Sequence, residues 1–219
     1  MKAAFFDVDG TLVHGFTMAS LLHYILGEFD DPGLASRLLQ LERDAAGYSS
    51  RQRLITEFFR LIAGQSWSQM IAWGQRWYDC IGRAQLIPEV VDRLREHGER
   101  GEVVVFVSGS WLPCLLPIAR DLSVEYVYCC EAGVEADTLT GQVSIIPIAD
   151  TKAVIVQEFS TIQGVDLANS YAYGDDDSDT PMLAVVGHAI AVSPSPALAE
   201  TARARGWELL TPRGATKLE

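Results

Sequence analysis

The sequence predicts an α/β fold in which a parallel sheet is flanked by helices and a small helical domain is inserted after the first strand. From Pro88 onwards, short apolar runs alternate with helical patterns, an order typical of a parallel sheet covered by helices. Between residues 14 and 85, apolar residues recur at helical spacing and no strand signal occurs. We therefore expect a core formed by residues 1–13 and 86–219, and a four-helix domain formed by residues 14–85.

Composition and charge exclude several classes of protein. Hydrophobic residues make up 48% of the 219 residues, which is enough for a packed core and excludes wholesale disorder. The net charge of −12 repels nucleic acid and anionic lipid, so we expect neither as a partner. No run approaches the roughly 20 apolar residues of a membrane helix. The four cysteines show no metal-ligand spacing and no signal sequence is present, which predicts reduced thiols and a cytoplasmic location.

The first predicted strand ends in two acidic residues. Apolar residues from Ala3 lead to Asp7 and Asp9, after which Gly10 allows a turn. A buried parallel strand does not tolerate two carboxylates one residue apart without a positive partner. The alternative interpretation is an Asp-Gly turn with a helix cap.

The helical domain is expected to contain four helices. Two amphipathic patterns are separated by an Asp-Pro-Gly break, and two capping boxes mark the starts of two further helices. These signals lie at Phe16–Glu28, Leu34–Ala46, Ser49 with Gln52, and Ser66 with Gln69. The last helix carries an aromatic stripe at helical spacing, which we interpret as core rather than as a substrate wall: Trp67, Trp73, Trp77 and Tyr78.

The second half of the chain supplies the rest of the sheet. Helices are predicted at 88–98, 113–122, 152–163, from 181, and at 196–205, and strands at 102–107, 125–130, 170–174, 188–192 and 207–210. Asp150-Thr151 is predicted to cap the third of these helices. A hairpin is expected around residues 137–142, with Gly141 in the turn.

Three polar clusters follow predicted parallel strands. They are Asp7 with Asp9, Ser108, and Asp175 with Asp179. Because ligands of open α/β sheets bind at the carboxyl ends of the strands, we expect these clusters to converge. Four converging carboxylates require a cation, and hard oxygen ligands at a few positions suit Mg²⁺.

Other residues near these strand ends suit a phosphate group. Ser108 offers a hydroxyl, and the amides of Gly109 and Ser110 are expected at a helix start, which forms an anion-binding turn. Lys152 is one of three lysines and the only one away from the chain ends, and it adds a point charge. A carboxylate beside Mg²⁺ and a phosphate site can act as a nucleophile and form an aspartyl-phosphate.

These residues occur in an order that resembles the haloacid dehalogenase superfamily of phosphohydrolases. The resemblance is to the phosphoserine-phosphatase-like subfamily, which has a helical cap inserted after the first motif. It covers the whole core, and the four motifs appear as Asp7-Val8-Asp9-Gly10-Thr11, Ser108, Lys152, and Gly174-Asp175 with Asp179. The resemblance implies a Rossmann-like core under a cap and a Mg²⁺-dependent phosphatase acting on a small-molecule phosphate monoester.

The resemblance also implies a role for each motif residue. Asp7 would attack the phosphorus and bind Mg²⁺, while Asp9 would protonate the leaving oxygen, later deprotonate the attacking water, and bind the metal through its backbone carbonyl. Asp175 would be the second carboxylate ligand, and Asp179 would orient this metal site or the lysine. The phosphate oxygens would be held by Thr11, Ser108, Gly109 and Lys152.

Two positions depart from the subfamily pattern. Phosphoserine phosphatases have a Glu shortly after the first motif that recognises the substrate amino group, and Phe16 stands at this position. A larger or less polar leaving group than serine is therefore expected. Asp176 replaces a small residue after the metal-binding Asp, and we interpret it as a solvated surface carboxylate, the alternative being that it tightens the metal site.

Several further side chains have two interpretations. His14 either touches substrate or is an exposed hinge residue, and Trp111 either packs under the sheet edge or lines the substrate entrance. Arg51 and Arg53 are expected on a solvated helix face, although they could reach a substrate anion.

Three other functions use similar residues. A receiver-type signalling module also combines Asp, Ser or Thr, Lys and Mg²⁺, but its phosphorylated Asp does not lie on the first strand and no helical insert follows. A binding protein that has lost turnover would need no general acid at Asp9. A phosphotransferase or mutase differs only in the group that accepts the phosphoryl group.

Overall fold

A six-stranded parallel sheet forms the centre of the computed structural model, which describes residues 1–26, 32–44 and 50–212. The six strands are β1 (Ala3–Phe6), β2 (Val103–Trp111), β3 (Tyr126–Cys130), β6 (Tyr171–Gly174), β7 (His188–Val192) and β8 (Glu208–Leu210). Their order in the sheet is β3-β2-β1-β6-β7-β8. Each neighbouring pair runs parallel, as the sequence predicts.

Nine α-helices occur in the described part of the chain. Their bounds are α1 (Thr17–Ile25), α2 (Pro32–Arg43), α3 (Arg51–Leu61), α4 (Trp67–Cys80), α5 (Pro88–Glu99), α6 (Leu112–Asp121), α7 (Asp150–Gln163), α8 (Thr180–Ala184) and α9 (Pro196–Arg205). The predicted helix ends at Glu28 and Ala46 and the predicted capping residue Ser49 lie outside the described residues.

The first strand separates two hydrophobic layers because its residues alternate between the faces of the sheet. Ala4 and Phe6 belong to one buried cluster, and Ala3 and Phe5 belong to another. The first cluster also contains buried residues of α1 to α6, and the second contains residues of α7, α8 and α9. The α/β architecture with helices on both faces is therefore confirmed.

The four helices α1 to α4 lie in the predicted insertion, between β1 and α5. The Ser66 hydroxyl accepts from the backbone N–H of Gln69, as expected for a cap, and Ser50 caps α3 by accepting from Arg53. Trp77 and Tyr78 are buried in the cluster that also contains Phe6, which confirms the aromatic stripe as core. Since this cluster is continuous with the sheet, the division into core and cap domains stays a prediction.

The structure corrects the predicted hairpin. It consists of β4 (Ala132–Glu135) and β5 (Thr138–Val143), so Gly141 lies within a strand. The turn is formed by Ala136 and Asp137, whose φ angles are 47° and 67°. The Asp137 carboxylate accepts from the Ser66 and Ser68 hydroxyls at 2.8 and 2.9 Å, and these contacts with the start of α4 stabilise the turn.

Two further predictions about element ends are wrong. β2 does not stop at Val107 but continues to Trp111, directly before α6, whose bounds of Leu112–Asp121 lie within one residue of the predicted 113–122. Asp150 does not cap α7, because it is the first residue of that helix. The N-cap residue is Ala149, and no side-chain hydrogen bond caps this end of the helix.

Two observations concern the chain as a whole. All four cysteines are free thiols, as predicted. Among the helices of the described ranges, none combines the length and apolarity that a membrane crossing requires.

Candidate active site

The three polar clusters converge at the carboxyl edge of the sheet, as the sequence predicts. Lys152, at the start of α7, is buried, and its side chain is 3% exposed. Its Nζ donates to Asp7 Oδ1 and to Asp179 Oδ1, each at 2.6 Å. One ammonium group thus joins the end of β1 to the short 3₁₀ helix Asp177–Asp179 that follows β6.

The turn after β1 passes directly against Asp175. Gly10 has a φ of +78°, and a Cβ atom at this position would lie 2.3 Å from Asp175 Oδ2. Only glycine provides both the left-handed backbone and the space. Thr11 follows, and its hydroxyl lies 3.2 Å from Asp175 Oδ1 and 3.4 Å from Asp7 Oδ2. Thr11 therefore contacts two carboxylates in the structure, and a contact with phosphate stays a prediction.

Asp7, Asp175 and Asp179 form a compact cluster in which one carboxylate oxygen from each lies within 4.8 Å of the others. Burial raises the pKa of Asp7 to about 7, against the attraction of Lys152. Burial and the neighbouring Asp7 and Asp179 raise the pKa of Asp175 to about 8. Carboxylates held this close need more positive charge than one lysine supplies, and the all-oxygen donor set fits Mg²⁺.

Asp179 has less capacity to accept a further ligand than Asp7 or Asp175, because its carboxylate oxygens already accept three hydrogen bonds. Its Oδ1 accepts from Lys152, and its Oδ2 accepts from the backbone N–H groups of Asp175 and Asp176 at 3.1 and 3.2 Å. These bonds fix the loop after β6 and place Asp175. The geometry is compatible with the predicted orienting role.

Asp9 is buried and lies at the junction with the cap helices. Its Oδ1 accepts from the backbone N–H of Thr17, at the start of α1, at 2.9 Å. Its Oδ2 lies 3.8 Å from Nη2 of Arg51, at the start of α3. Burial raises the pKa of Asp9, and Arg51 and the Thr17 amide oppose this rise.

Ser108 is buried near the end of β2, where its hydroxyl accepts from the backbone N–H of Ser110 at 3.1 Å. The Ser110 hydroxyl contacts the Thr17 hydroxyl at 2.6 Å. The predicted anion-binding turn at a helix start is therefore corrected, because Gly109 and Ser110 are strand residues. A phosphate contact by Ser108 and Gly109 stays a prediction.

The sequence matches the haloacid dehalogenase-like hydrolase family over residues 4–184. The chain belongs to this family. The match includes all four motifs and confirms the resemblance drawn from them.

Individual relatives support this assignment. A Mycobacterium tuberculosis protein named "Probable phosphatase Rv3661" is 30% identical over 95% of this chain and 75% of its own length. Phosphoserine phosphatase SerB1 of the same species is 29% identical over 94% of this chain and 70% of its length. These names agree with the predicted class, a phosphoric monoester hydrolase.

A solved structure has nearly the same fold. The crystal structure of a Bordetella pertussis protein of unknown function superimposes with a TM-score of 0.84 at 28% identity. It covers 95% of this chain and 97% of that chain.

Sequence reasoning missed two features of this hydrolase. The Arg51 side chain is 38% exposed, as expected, but it also lies 3.8 Å from Asp9 Oδ2, and its guanidinium carbon lies 5.2 Å from the centroid of the Phe16 ring. Thr17 was not a candidate, yet its amide and hydroxyl hold Asp9 and Ser110. The available signal for Thr17 was its position in the first turn of a helix, where backbone donors are free.

The remaining candidates are also placed. Asp176 is half-buried rather than fully solvated, and its carboxylate accepts from the N–H of Ser178 at 3.1 Å. Trp111 is buried against Phe58 and Phe59, which favours the packing interpretation. His14 is exposed, and its backbone N–H donates to the backbone carbonyl of Gln85. This bond joins the two ends of the segment that contains α1 to α4.

Proposed function

We propose that this hydrolase is a Mg²⁺-dependent phosphatase that acts on a small-molecule phosphate monoester through an aspartyl-phosphate on Asp7. The observation that carries the proposal is the buried lysine between Asp7 and Asp179, with Asp175 in the same cluster. The phosphatase names of the relatives support it. A cytoplasmic location stays part of the proposal and rests on the reduced cysteines.

The side chains of Asp7 and Asp175 and the backbone carbonyl of Asp9 would hold the metal. Bound Mg²⁺ would neutralise charge on the transferring phosphoryl oxygens. The raised pKa values of Asp7 and Asp175 support this assignment, because a cation favours the charged form of both groups.

Asp7 would supply the nucleophilic oxygen. Lys152 holds its Oδ1 at 2.6 Å, which fixes the carboxylate and favours its ionised form. The Asp7–phosphorus bond forms as the bond from phosphorus to the alcohol oxygen breaks. Lys152 also carries a positive charge, because Asp179 and Asp7 outweigh the effect of burial and raise its pKa.

Asp9 would act first as the general acid and then as the general base. Its raised pKa favours a protonated carboxyl that can pass its proton to the departing alcohol oxygen. The resulting carboxylate would then take a proton from the water that cleaves the aspartyl-phosphate. The Thr17 amide would hold the Asp9 side chain in place during both transfers.

The structure argues against a receiver-type module. Asp7 follows the first strand, and the five α-helices α1 to α5 separate β1 from β2 in the described chain. A phosphotransferase or mutase would use the same groups with a different acceptor. Product analysis distinguishes these from hydrolysis, because only hydrolysis releases inorganic phosphate stoichiometrically in the absence of an acceptor.

The test measures phosphate release from 4-nitrophenyl phosphate with and without Mg²⁺. We expect Asp7→Asn to remove turnover while circular dichroism stays unchanged, and persistent turnover would contradict the nucleophile assignment. Asp9→Asn should accumulate a phosphorylated protein detectable by mass spectrometry. Asp92→Asn is the control, since it removes an exposed carboxylate from α5.

A further inference from the structure

A cavity of about 500 Å³ opens from the catalytic edge into the cap helices. Asp9, Gly109, Asp175 and Asp176 line it on the side of the sheet. The other lining residues lie between positions 16 and 58, on α1, α2, α3 and next to them. A volume of this size is typical of small-molecule sites.

Most of the described residues that line the cap side of this cavity are apolar. Its lining includes Met18, Leu22, Leu38, Leu41, Leu54 and Phe58, which come from three different helices. The Phe16 ring, which stands where phosphoserine phosphatases have a Glu, also lines it and is 60% exposed. Binding of an apolar group over this exposed aromatic ring and these aliphatic side chains removes apolar surface from water, which is favourable.

The polar side chains that the cap contributes to the described lining already have partners. Glu42 pairs with His23 at 2.6 Å, and the Ser50 hydroxyl caps α3. Arg51 is directed to Asp9 and to the Phe16 ring. Within the described lining, a polar leaving group would therefore exchange its water for few hydrogen-bonding side chains, of which Arg51 is the main one.

We propose that the cavity binds the organic part of the substrate and that the substrate is the phosphate monoester of an apolar alcohol. The inference rests on the proposed function, because it places the departing oxygen beside Asp9, at the catalytic end of the cavity. Beyond this oxygen, an alkyl chain or apolar ring extends along α1, α2 and α3. Phosphate monoesters of alcohols rich in hydroxyl, amino or carboxyl groups should be poor substrates for this site.

A homologous series tests this substrate class. Hydrolysis of n-alkyl phosphates from ethyl to octyl is measured with Mg²⁺ below their critical micelle concentrations. We expect kcat/KM to rise about fourfold for each added methylene until the cavity is full. Phosphoserine should be hydrolysed more slowly than butyl phosphate, which is similar in size. A flat series, or a preference for phosphoserine, would overturn the proposal.

Variants locate the effect in the cavity. Ala19 is half-buried and lines the cavity, so Ala19→Phe should abolish the advantage of octyl over butyl phosphate. Ala204→Phe, an equivalent change at an exposed position of α9, should leave that ratio unchanged. Leu54→Asn provides a second variant, which should lower the gain per methylene. Equal chain-length dependence in all four proteins would contradict the assignment.

Binding distinguishes a failure of this inference from a failure of the proposed function. Ethyl, butyl and octyl phosphonates are titrated into the full chain by calorimetry. Tighter binding of longer phosphonates without hydrolysis of any ester would support the cavity and overturn the phosphatase. Hydrolysis of the esters combined with phosphonate binding that does not depend on chain length would support the phosphatase and overturn the role of the cavity.

A further arm identifies the source of the apolar ester. Octadecyl phosphate is offered in phosphatidylcholine vesicles and compared with monomeric octyl phosphate. Turnover at the vesicle surface would indicate a lipid, and turnover of the monomer alone would indicate a dissolved metabolite. Turnover of neither, with ethyl phosphate hydrolysed, would overturn the proposed class.

Discussion

Lys152 is the residue on which the charge balance of the site depends. Its ammonium group contacts Asp7 and Asp179, and all three side chains are buried. Removing one partner of a buried ion pair leaves an uncompensated charge, which costs more than the pair itself contributes. The same lysine would stabilise the phosphoryl oxygens, so stability and catalysis both depend on it.

Replacing this lysine tests both effects. We expect Lys152→Met to lower the free energy of unfolding by about 3 kcal/mol in urea titrations with a chelator present. The loss in kcat/KM should be on the order of a hundredfold or more. Lys2→Met, at an exposed position, should change neither quantity. A stable and fully active Lys152→Met protein would refute the assigned role.

A comparison of Gly10, in the first motif, with Gly15, which follows that motif, distinguishes the effect of backbone strain from the effect of steric crowding. Both have a φ of +78°, so alanine at either position should cost about 1–2 kcal/mol of folding free energy. A Cβ atom at Gly10 would lie 2.3 Å from Asp175, whereas nothing lies within 4 Å of one at Gly15. Gly10→Ala should therefore also weaken Mg²⁺ binding measured by calorimetry, and Gly15→Ala should not. Equal Mg²⁺ affinity in the two variants would show that the contact with Asp175 is unimportant.

At the scale of elements, α4, the last of the four inserted helices, packs directly on α6. A Cβ atom at Gly74 would lie 1.9 Å from the carbonyl oxygen of Pro113, so the two helices are in backbone contact there. The Tyr78 hydroxyl donates to Asp121 at 2.6 Å, at the other end of the same interface. These contacts fix the position of α4 on α6.

A pair of helical glycines tests this interface. We expect Gly74→Ala to lower the free energy of unfolding by about 1–3 kcal/mol, because α4 must move away from α6. Gly98→Ala in α5 meets nothing within 4 Å and should raise it by about 0.5–1 kcal/mol through helix propensity. Thermal and urea unfolding measure both. Stabilisation by Gly74→Ala would contradict the close packing.

The elements differ in how well local sequence determines them. His188–Val192 and Pro196–Arg205 have the predicted bounds, because apolar periodicity and a terminal proline mark their ends. The turn at Ala136 and Asp137 has no such signal. It is held by contacts of Asp137 with Ser66 and Ser68, about 70 residues earlier in the chain, which no local pattern contains.

The same distinction applies to the site. Asp7, Asp175 and Asp179 are predictable because strand ends converge in a parallel sheet, and Lys152 because it is the only lysine away from the chain ends. Arg51 could not be found in this way, since it approaches Asp9 only through the orientation of a cap helix. Residues placed by topology are therefore predictable, and residues placed by packing between helices are not.

At the scale of the whole molecule, the fold concentrates negative charge in one place. The chain carries a net charge of −12, and three carboxylates lie close together at the sheet edge, where Lys152 contacts two of them. This arrangement suits binding of a cation and disfavours the cation-free protein. Stability should consequently depend on pH and Mg²⁺ together.

The direction of this dependence follows from the pKa values. Asp7 and Asp175 have raised pKa values of about 7 and about 8 in the folded protein, against an ordinary value of 3.8. Between pH 3.8 and these raised pKa values, the folded, metal-free protein holds protons on Asp7 and Asp175 that the unfolded chain has released. The stability that these bound protons contribute is therefore fully present below about pH 4, and it is lost as the pH rises through the folded-state pKa values of about 7 and about 8.

Mg²⁺ should replace these protons, so its stabilising effect should grow with pH. We expect saturating Mg²⁺ to raise the Tm by on the order of 5–10 °C at pH 8.5 and by much less at pH 5.5. Asp175→Asn should reduce this difference between the two pH values, because it removes one titrating ligand. Asp92→Asn, which removes an exposed charge, should retain it. A Mg²⁺ effect on Tm that is equal at both pH values in the unmodified protein would show that the carboxylate cluster does not bind the metal.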